Sequence, residues 1–529
     1  MKYRNPVLPG FHPDPSICRD GDSFYLATSS FHYFPGIPLW VSKNLVDWDL
    51  AGHGISRPGQ LDLSGTEASR GLFAPTIRKN GDTFYIACTQ VDRLGNFIIT
   101  APAIDGPWSA PVKVDVSGID PSLFFDDDGV VYLCTSYSGD RKEGISLAVL
   151  NPISGEILEG PGIICHGSGG RHPEGPHIYK RGDFYYLLLS EGGTEYGHML
   201  TVFRASAPWG PYKACPRNPV LSHRDFANSP IQCVGHGDFV EDPAGNWWLV
   251  CLGIRPVGHT LLHNLGRETF LAPVHWNDDG WPLIGDNGKL SLVMDGLLPG
   301  QEAEVALRKH AKSSRSHMTE ASPPRMGSVI SAVWRDEFVE QLSREWSFVR
   351  ARAPGAAEIM PRGGLLLTGD SVNLSDPVAA PVFLGRPQQA FDCIFSALVD
   401  FNPTAIESEA GIAAYYDDSY HYEVFVTWRP GHKTVALRKH VHDTEAVIAE
   451  VAIPGEGPVS LTLKSSREQY SFSYSCGEFY GELGAGRTAG LCTEGTWRMS
   501  FIGVFFGLYC VQGKALFLSA SCVDSEKAS

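Results

Sequence analysis

Apolar and polar residues alternate with a period of two over short stretches along most of the chain, the pattern of half-buried β-strands. In the first half these stretches recur in register. DPSICRDGDSFYL (14–26) and APTIRKNGDTFYI (74–86) share Pro, Ile, Gly, Asp, Phe and Tyr at an offset of 60. DPSLFFDDDGVVYL (120–133), EGPHIYKRGDFYYL (174–187) and the more divergent HGDFVEDPAGNWWL (236–249) continue the series. Each copy reads as a short strand, a Gly/Asp turn and an aromatic-rich strand, which is a hairpin. The starts are spaced by 60, 46, 54 and 62 residues. That leaves room for four short strands per copy, close to the ~40–50 residues of a propeller blade.

Five copies predict a five-bladed β-propeller over residues 1–298. The repeat stops after Trp281, and residues 299–332, rich in charge, Ser and Pro, read as a linker. From 333 to 529 alternation resumes without the repeat, in segments such as FDCIFSALVDF, YHYEVFVTW and FFGLYCVQG. This predicts a second all-β domain, a sandwich of the jelly-roll, lectin-like kind. The fold class is therefore all-β, a propeller followed by a sandwich.

Composition sharpens the picture. The 57 Gly and 37 Pro among 529 residues fit a turn-rich chain with few long helices. With 43 basic and 59 acidic side chains the net charge is -16, which repels phosphate backbones and argues against nucleic acid as a partner. The longest apolar run, Phe501 to Val511, is broken by Gly503 and Gly507 and is too short to cross a bilayer, so no membrane partner is expected. The opening MKYRNPVLPGFHPDPS lacks the apolar stretch of a secretory leader. The 12 Cys are scattered singly, several within apolar strand-like runs such as FYIACTQ and VYLCTSY. Reduced, buried thiols and a cytoplasmic location are the expectation.

Candidate chemistry comes from the first position of the repeat, occupied by Asp14, Ala74, Asp120, Glu174 and His236. In a propeller, equivalent positions of the innermost strands form a ring at one mouth of the central channel. Asp before Pro is ordinary turn chemistry when it stands alone. Three carboxylates at one ring position point instead to a shared pocket. Crowded like charges raise the pKa of at least one member, giving an acid and a base at the same pH. Glycoside cleavage requires that pair.

At these residues the chain resembles glycoside hydrolase family 43. The likeness rests on FHPDPS (11–16), GLFAPTIR (71–78), GIDPSLFFDDDG (118–129), RHPEGPHIYKR (171–181), GHGDFVEDPAGNWWLVCLGIRP (235–256) and LGRETFLAPV (265–274), with WRDEF (334–338) opening the second domain. The closest likeness is to two-domain β-xylosidases that also act as α-L-arabinofuranosidases. The resemblance implies an inverting, exo-acting enzyme that releases xylose from short β-1,4-xylo-oligosaccharides, with an arabinofuranosidase as the near alternative. It implies Asp14 as general base, Glu174 as general acid and Asp120 as the carboxylate that orients the acid and keeps its pKa high. Arg267 and His236 would contact the sugar, as would the aromatic residues Phe31 and Phe73. Phe73 departs from the Trp often found at its position, which weakens that platform. Phe505 resembles a phenylalanine that the sandwich inserts into the propeller mouth. No cofactor is implied for the chemistry, although some members carry a divalent cation such as calcium near His236. Relatives are often homo-oligomers. A sugar-binding propeller without catalysis would be expected to lack one of the three ring acids.

Other motifs point nowhere. Asp126, Asp127, Asp128 and Gly129 lack the rest of an EF-hand. His172, Glu174 and His177 are separated by Pro173, Gly175 and Pro176, which preclude the helix of a zinc-protease motif. HGSGGRHPEG has no Lys-Ser/Thr behind it and is not a phosphate loop.

Overall fold

The computed structural model describes residues 2–139, 142–258, 261–300, 334–350, 354–453 and 457–525. Beyond Gly300, the expected linker lies outside the described residues. Each repeat copy forms the hairpin at the start of a separate sheet, and five sheets follow one another in chain order. The repeated turn explains the shared register. Asp20 pairs with Ser23, Asn80 with Thr83 and Arg181 with Phe184, leaving two-residue turns that open on Gly21, Gly81 and Gly182. All three glycines sit at φ 54–59°, a left-handed conformation that glycine adopts without steric cost.

The first strands of the five sheets are Ser16–Asp20, Leu72–Asn80, Ile119–Phe125, Glu174–Arg181 and Gln232–Glu241. Each touches the next around a closed ring, so they line the channel of a five-bladed propeller. Residues from the two ends of the domain close the circle. Lys2–Arg4 pairs with Val293–Asp295, and Leu8 bridges to Thr269.

A buried polar network ties the inner strands together on the axis. Asp238 accepts from Arg78 at 2.7 and 3.2 Å, from Ser16 at 2.7 Å and from Tyr179. Arg78 also donates to His177 Nδ1 at 2.9 Å, which lies 2.8 Å from Ser122 Oγ. All five blades contribute to this cluster. Arg78 can only donate, so Nδ1 of His177 carries the lone pair.

The second domain is a sandwich of two antiparallel sheets with one shared apolar core. One sheet is extended by a strand from the propeller. Tyr33–Phe34 pairs with Ser347–Val349, at the edge of the sheet that also holds Phe383–Pro387 and Phe505–Val511. Phe11, Phe31 and Tyr33 accordingly pack within the sandwich core cluster. The two domains are joined by backbone pairing as well as by side chains. All 12 cysteines are free and buried, as expected of small apolar fillers. Among the described residues, no helix is long and apolar enough to cross a membrane.

Candidate active site

Asp14, Asp120 and His236 stand at the equivalent repeat position and adopt the same unusual backbone, with φ of 54, 54 and 43°. Left-handed backbone is uncommon for residues other than glycine, and such conformations cluster at functional sites. Asp14, Asp120, Glu174 and His236 line one pocket at the mouth of the channel, together with Arg267, Phe31 and Phe73.

Asp14 is the most firmly held. Arg267 donates to both its oxygens, Nη1 to Oδ1 at 2.9 Å and Nη2 to Oδ2 at 3.3 Å. Ser29 donates its hydroxyl to Oδ2 at 2.6 Å, and His236 Nδ1 stands 3.8 Å from Oδ1. Burial works to raise the pKa of Asp14, but Arg267, His236 and Ser29 together outweigh it. The result lies below the usual carboxylate value. Glu174 has the opposite balance. Burial and then the charges of Asp120 and Asp14 push its pKa well above the usual range. Asp120 is raised as well, by burial and by Asp14, although His236 opposes this and the Gly175 N–H donates to its Oδ2 at 3.1 Å. The pocket therefore holds an ionised carboxylate and a protonated carboxyl at the same pH.

Arg267 is itself fixed from three sides. It reaches Thr194 Oγ1 at 3.2 Å and the Phe501 carbonyl at 3.4 Å, besides Asp14. Its guanidinium lies 5.7 Å from the ring centre of Phe31 and 5.3 Å from that of Phe501. Phe31 and Phe501 stack at 5.7 Å and 20°, with Phe73 edge-on to both. An apolar wall faces the carboxylates, as a sugar's C–H face requires.

His236 lies against Gly175. A Cβ there would come within 3.1–3.3 Å of three ring atoms, which explains the glycine after Glu174. The His236 N–H donates to Ser190 Oγ at 2.7 Å. The facing carboxylate, Asp14, is already paired with Arg267, and among the described residues no three His, Cys, Asp or Glu side chains are grouped to hold a metal.

The structure corrects one residue. Phe505 does not line the pocket. It begins the strand Phe505–Val511, is 2% exposed, and stacks on Tyr33 at 4.1 Å and 17°. Its place belongs to Phe501, four residues earlier, in the loop that leaves the sandwich and crosses to the propeller. Strand alternation directs Phe505 into the interdomain core, whereas the loop is free of that constraint. Ser29, Thr194, Met499 and Phe501 are site residues that sequence reasoning missed. None lies at a repeat position, and only the serine and threonine carry chemistry that draws attention.

A propeller whose mouth gathers an arginine-held carboxylate, a protonated carboxyl and a third acid against an aromatic wall defines a glycoside hydrolase. The chain belongs to glycosyl hydrolases family 43, whose model matches residues 3–282, and residues 335–516 match the beta-xylosidase C-terminal concanavalin A-like domain. It is 38% identical over 513 residues, 96% of this chain and 91% of the other, to a non-reducing end alpha-L-arabinofuranosidase of Bacteroides ovatus. It is 32% identical over 538 residues, 96% and 94% of the two chains, to a xylosidase/arabinosidase of Humicola insolens. Among solved structures, a xylan beta-1,4-xylosidase from Bacillus halodurans superposes with a TM-score of 0.88 at 30% identity, covering 99% of this chain and all (100%) of that one.

Proposed function

We propose that the protein removes D-xylose from the non-reducing ends of short β-1,4-xylo-oligosaccharides with inversion at the anomeric carbon. Asp14 takes a proton from the attacking water, and Glu174 gives one to the departing glycosidic oxygen. Asp120 keeps Glu174 protonated by its charge, and Arg267 keeps Asp14 ionised while reaching sugar hydroxyls. The observation that carries this reading is the opposed pKa directions of Asp14 and Glu174 within one pocket. Exo action is supported by the wall that Phe501 and Phe31 build across the pocket. The names of the relatives favour a pentosidase. The reaction as written needs no cofactor. A cytoplasmic setting belongs to the proposal, and the 12 free, buried cysteines suit a reducing compartment.

A second reading, α-L-arabinofuranosidase, is favoured by the name of the Bacteroides ovatus relative. Kinetics on an aryl β-D-xyloside and an aryl α-L-arabinofuranoside, side by side, separate the two; a clear arabinoside preference overturns the first. Proton NMR of the first-formed sugar tests the base. Appearance of the α-anomer of xylose supports Asp14 activating water, and the β-anomer removes it from that role.

A further inference from the structure

The glycine-rich run HGSGG (166–170), which leads into Glu174, closes around a side chain of its own blade. Glu191 ends the strand Phe184–Glu191 and is fully buried. Its Oε1 accepts from the Ser168 N–H at 2.9 Å and from the Thr201 hydroxyl at 2.6 Å. Its Oε2 accepts from the N–H groups of Ser168 and Gly170, each at 2.9 Å, and from the Ser168 hydroxyl at 3.2 Å. Backbone N–H groups gathered in this way form a nest of the kind that binds anions, and here the nest holds a carboxyl group of the protein itself. We propose that Glu191 is a positioning residue for the general acid, fixing the segment that delivers Glu174 to the pocket.

Position supports this assignment, which rests on the role of Glu174 proposed above. Only Arg171, His172 and Pro173 separate the held Gly170 from Glu174. That short step is pinned along its length. The Gly192 N–H, next to Glu191, donates to the Arg171 carbonyl at 2.7 Å, and the Ser136 hydroxyl donates to the Pro173 carbonyl at 2.8 Å. On the other side of Glu191, Ser190 pairs with Glu174 across the sheet and accepts from the His236 N–H at 2.7 Å. One strand end therefore sets both the acid and the ring histidine.

The loop glycines fit the same picture. A Cβ at Gly167 would stand 2.8 Å from Glu191 Oε2, and one at Gly170 would stand 2.8 Å from Glu191 Cβ. The loop wraps the side chain too closely for a larger residue at either place. The charges that act most on Glu174 are those of Asp120, Asp14, Arg267 and Glu195. Glu191 acts on it instead through the backbone it holds.

The test is the ratio of kcat/KM for xylobiose, which needs the acid, to that for a dinitrophenyl β-D-xyloside, which does not. Glu191→Ala should lower this ratio roughly ten- to a hundred-fold, the scale of a misplacement of about an ångström, chiefly through kcat on xylobiose. Glu191→Gln should restore it, since its amide oxygen still accepts from Ser168 and Gly170 while its NH2 donates to Thr201. Gly170→Ala displaces the loop with the carboxyl group in place, and it should lower the ratio as well. An unchanged ratio in Glu191→Ala, whether both activities persist or fall together, overturns the assignment. So does a Glu191→Gln protein as impaired as Glu191→Ala. Should Glu191→Ala not fold, an unchanged ratio in Gly170→Ala overturns it. Equal losses on the two substrates in Glu174→Ala overturn instead the acid role on which the assignment rests.

Discussion

Arg267 grips Asp14 by both carboxylate oxygens, although the two residues are separated by most of the propeller sequence. The pairing is the forked geometry in which guanidinium and carboxylate match best. It also bears on the charge state of Asp14, because burial raises the pKa of that carboxyl and Arg267 is the largest of the influences that lower it. Base and arginine are one unit, and removing either should disable the other.

Arg267→Ala should lower kcat/KM on the order of a hundred-fold, the scale of losing a preorganised electrostatic contact. The sign of the pH effect follows from the balance at Asp14. Without its strongest lowering influence the carboxyl titrates higher, so the acidic limb of the kcat/KM profile moves to higher pH. A pH–rate profile whose acidic limb stays in place refutes the coupling.

Glu174→Ala should discriminate between leaving groups. An unactivated xylobiose needs its oxygen protonated, and its turnover should fall by about 10²–10⁴, the usual contribution of a general acid. A dinitrophenyl xyloside departs without a proton and should be affected far less. Steady-state kinetics on the two substrates check this, and equal losses would remove Glu174 from the acid role.

Asp120→Asn should shift the basic limb. The charge of Asp120 stands second only to burial in raising the pKa of Glu174. Its neutral replacement lets Glu174 ionise at lower pH, so the basic limb moves down the pH scale while the acidic limb keeps its shape. A basic limb that is unmoved or displaced upward contradicts this function of Asp120.

The ring of acids was legible because repeat register converts sequence position into position around the channel. The same logic, extended two residues, reaches Ser16, Ser122 and Asp238, members of the buried axial network, though Asp238 sits in the most divergent copy and did not stand out. Loops carry no such register. SSFHYFPG (29–36) carries the sugar-facing candidate Phe31, and nothing in its pattern says that Tyr33–Phe34 joins the sandwich sheet. The exchange of Phe505 for Phe501 has the same origin, since nothing local says where a strand's alternation gives way to a crossing loop.

Asp238→Asn tests the axial network through stability. Burial tends to raise the pKa of Asp238, but Arg78 and His177 and their hydrogen-bonded neighbours hold it at about 2, below the ordinary 3.8. A depressed carboxylate contributes stability that is complete above its unfolded value and lost as the pH falls through about 2. The shift corresponds to roughly 2 kcal/mol. Asn leaves Arg78 buried without its counter-charge, for which about 3–5 kcal/mol of destabilisation is typical. Denaturant unfolding at pH 6 should show that loss, and the variant's stability should fall less between pH 4 and 2 than that of the wild type. A variant as stable as the wild type at pH 6 would show that the ion pair does not hold the blades together.

Gly503→Ala should uncouple the domains at the active site. A Cβ at Gly503 would stand 2.6 Å from the Gly266 nitrogen and from the Leu265 carbonyl carbon and oxygen. These are backbone atoms and cannot swing aside, so the loop carrying Phe501 must withdraw from the segment carrying Arg267. Overpacking of this kind costs about 1–3 kcal/mol. The chemical consequence should exceed the structural one, because Phe501 contributes both a pocket wall and a carbonyl to Arg267. Gly52 is the control: the one neighbour within reach of its Cβ is at 3.8 Å, so Gly52→Ala should change neither property. Thermal unfolding and aryl xyloside kinetics on both variants give the comparison. Wild-type activity in Gly503→Ala would mean that the sandwich loop is dispensable for catalysis and that the propeller builds the working site alone.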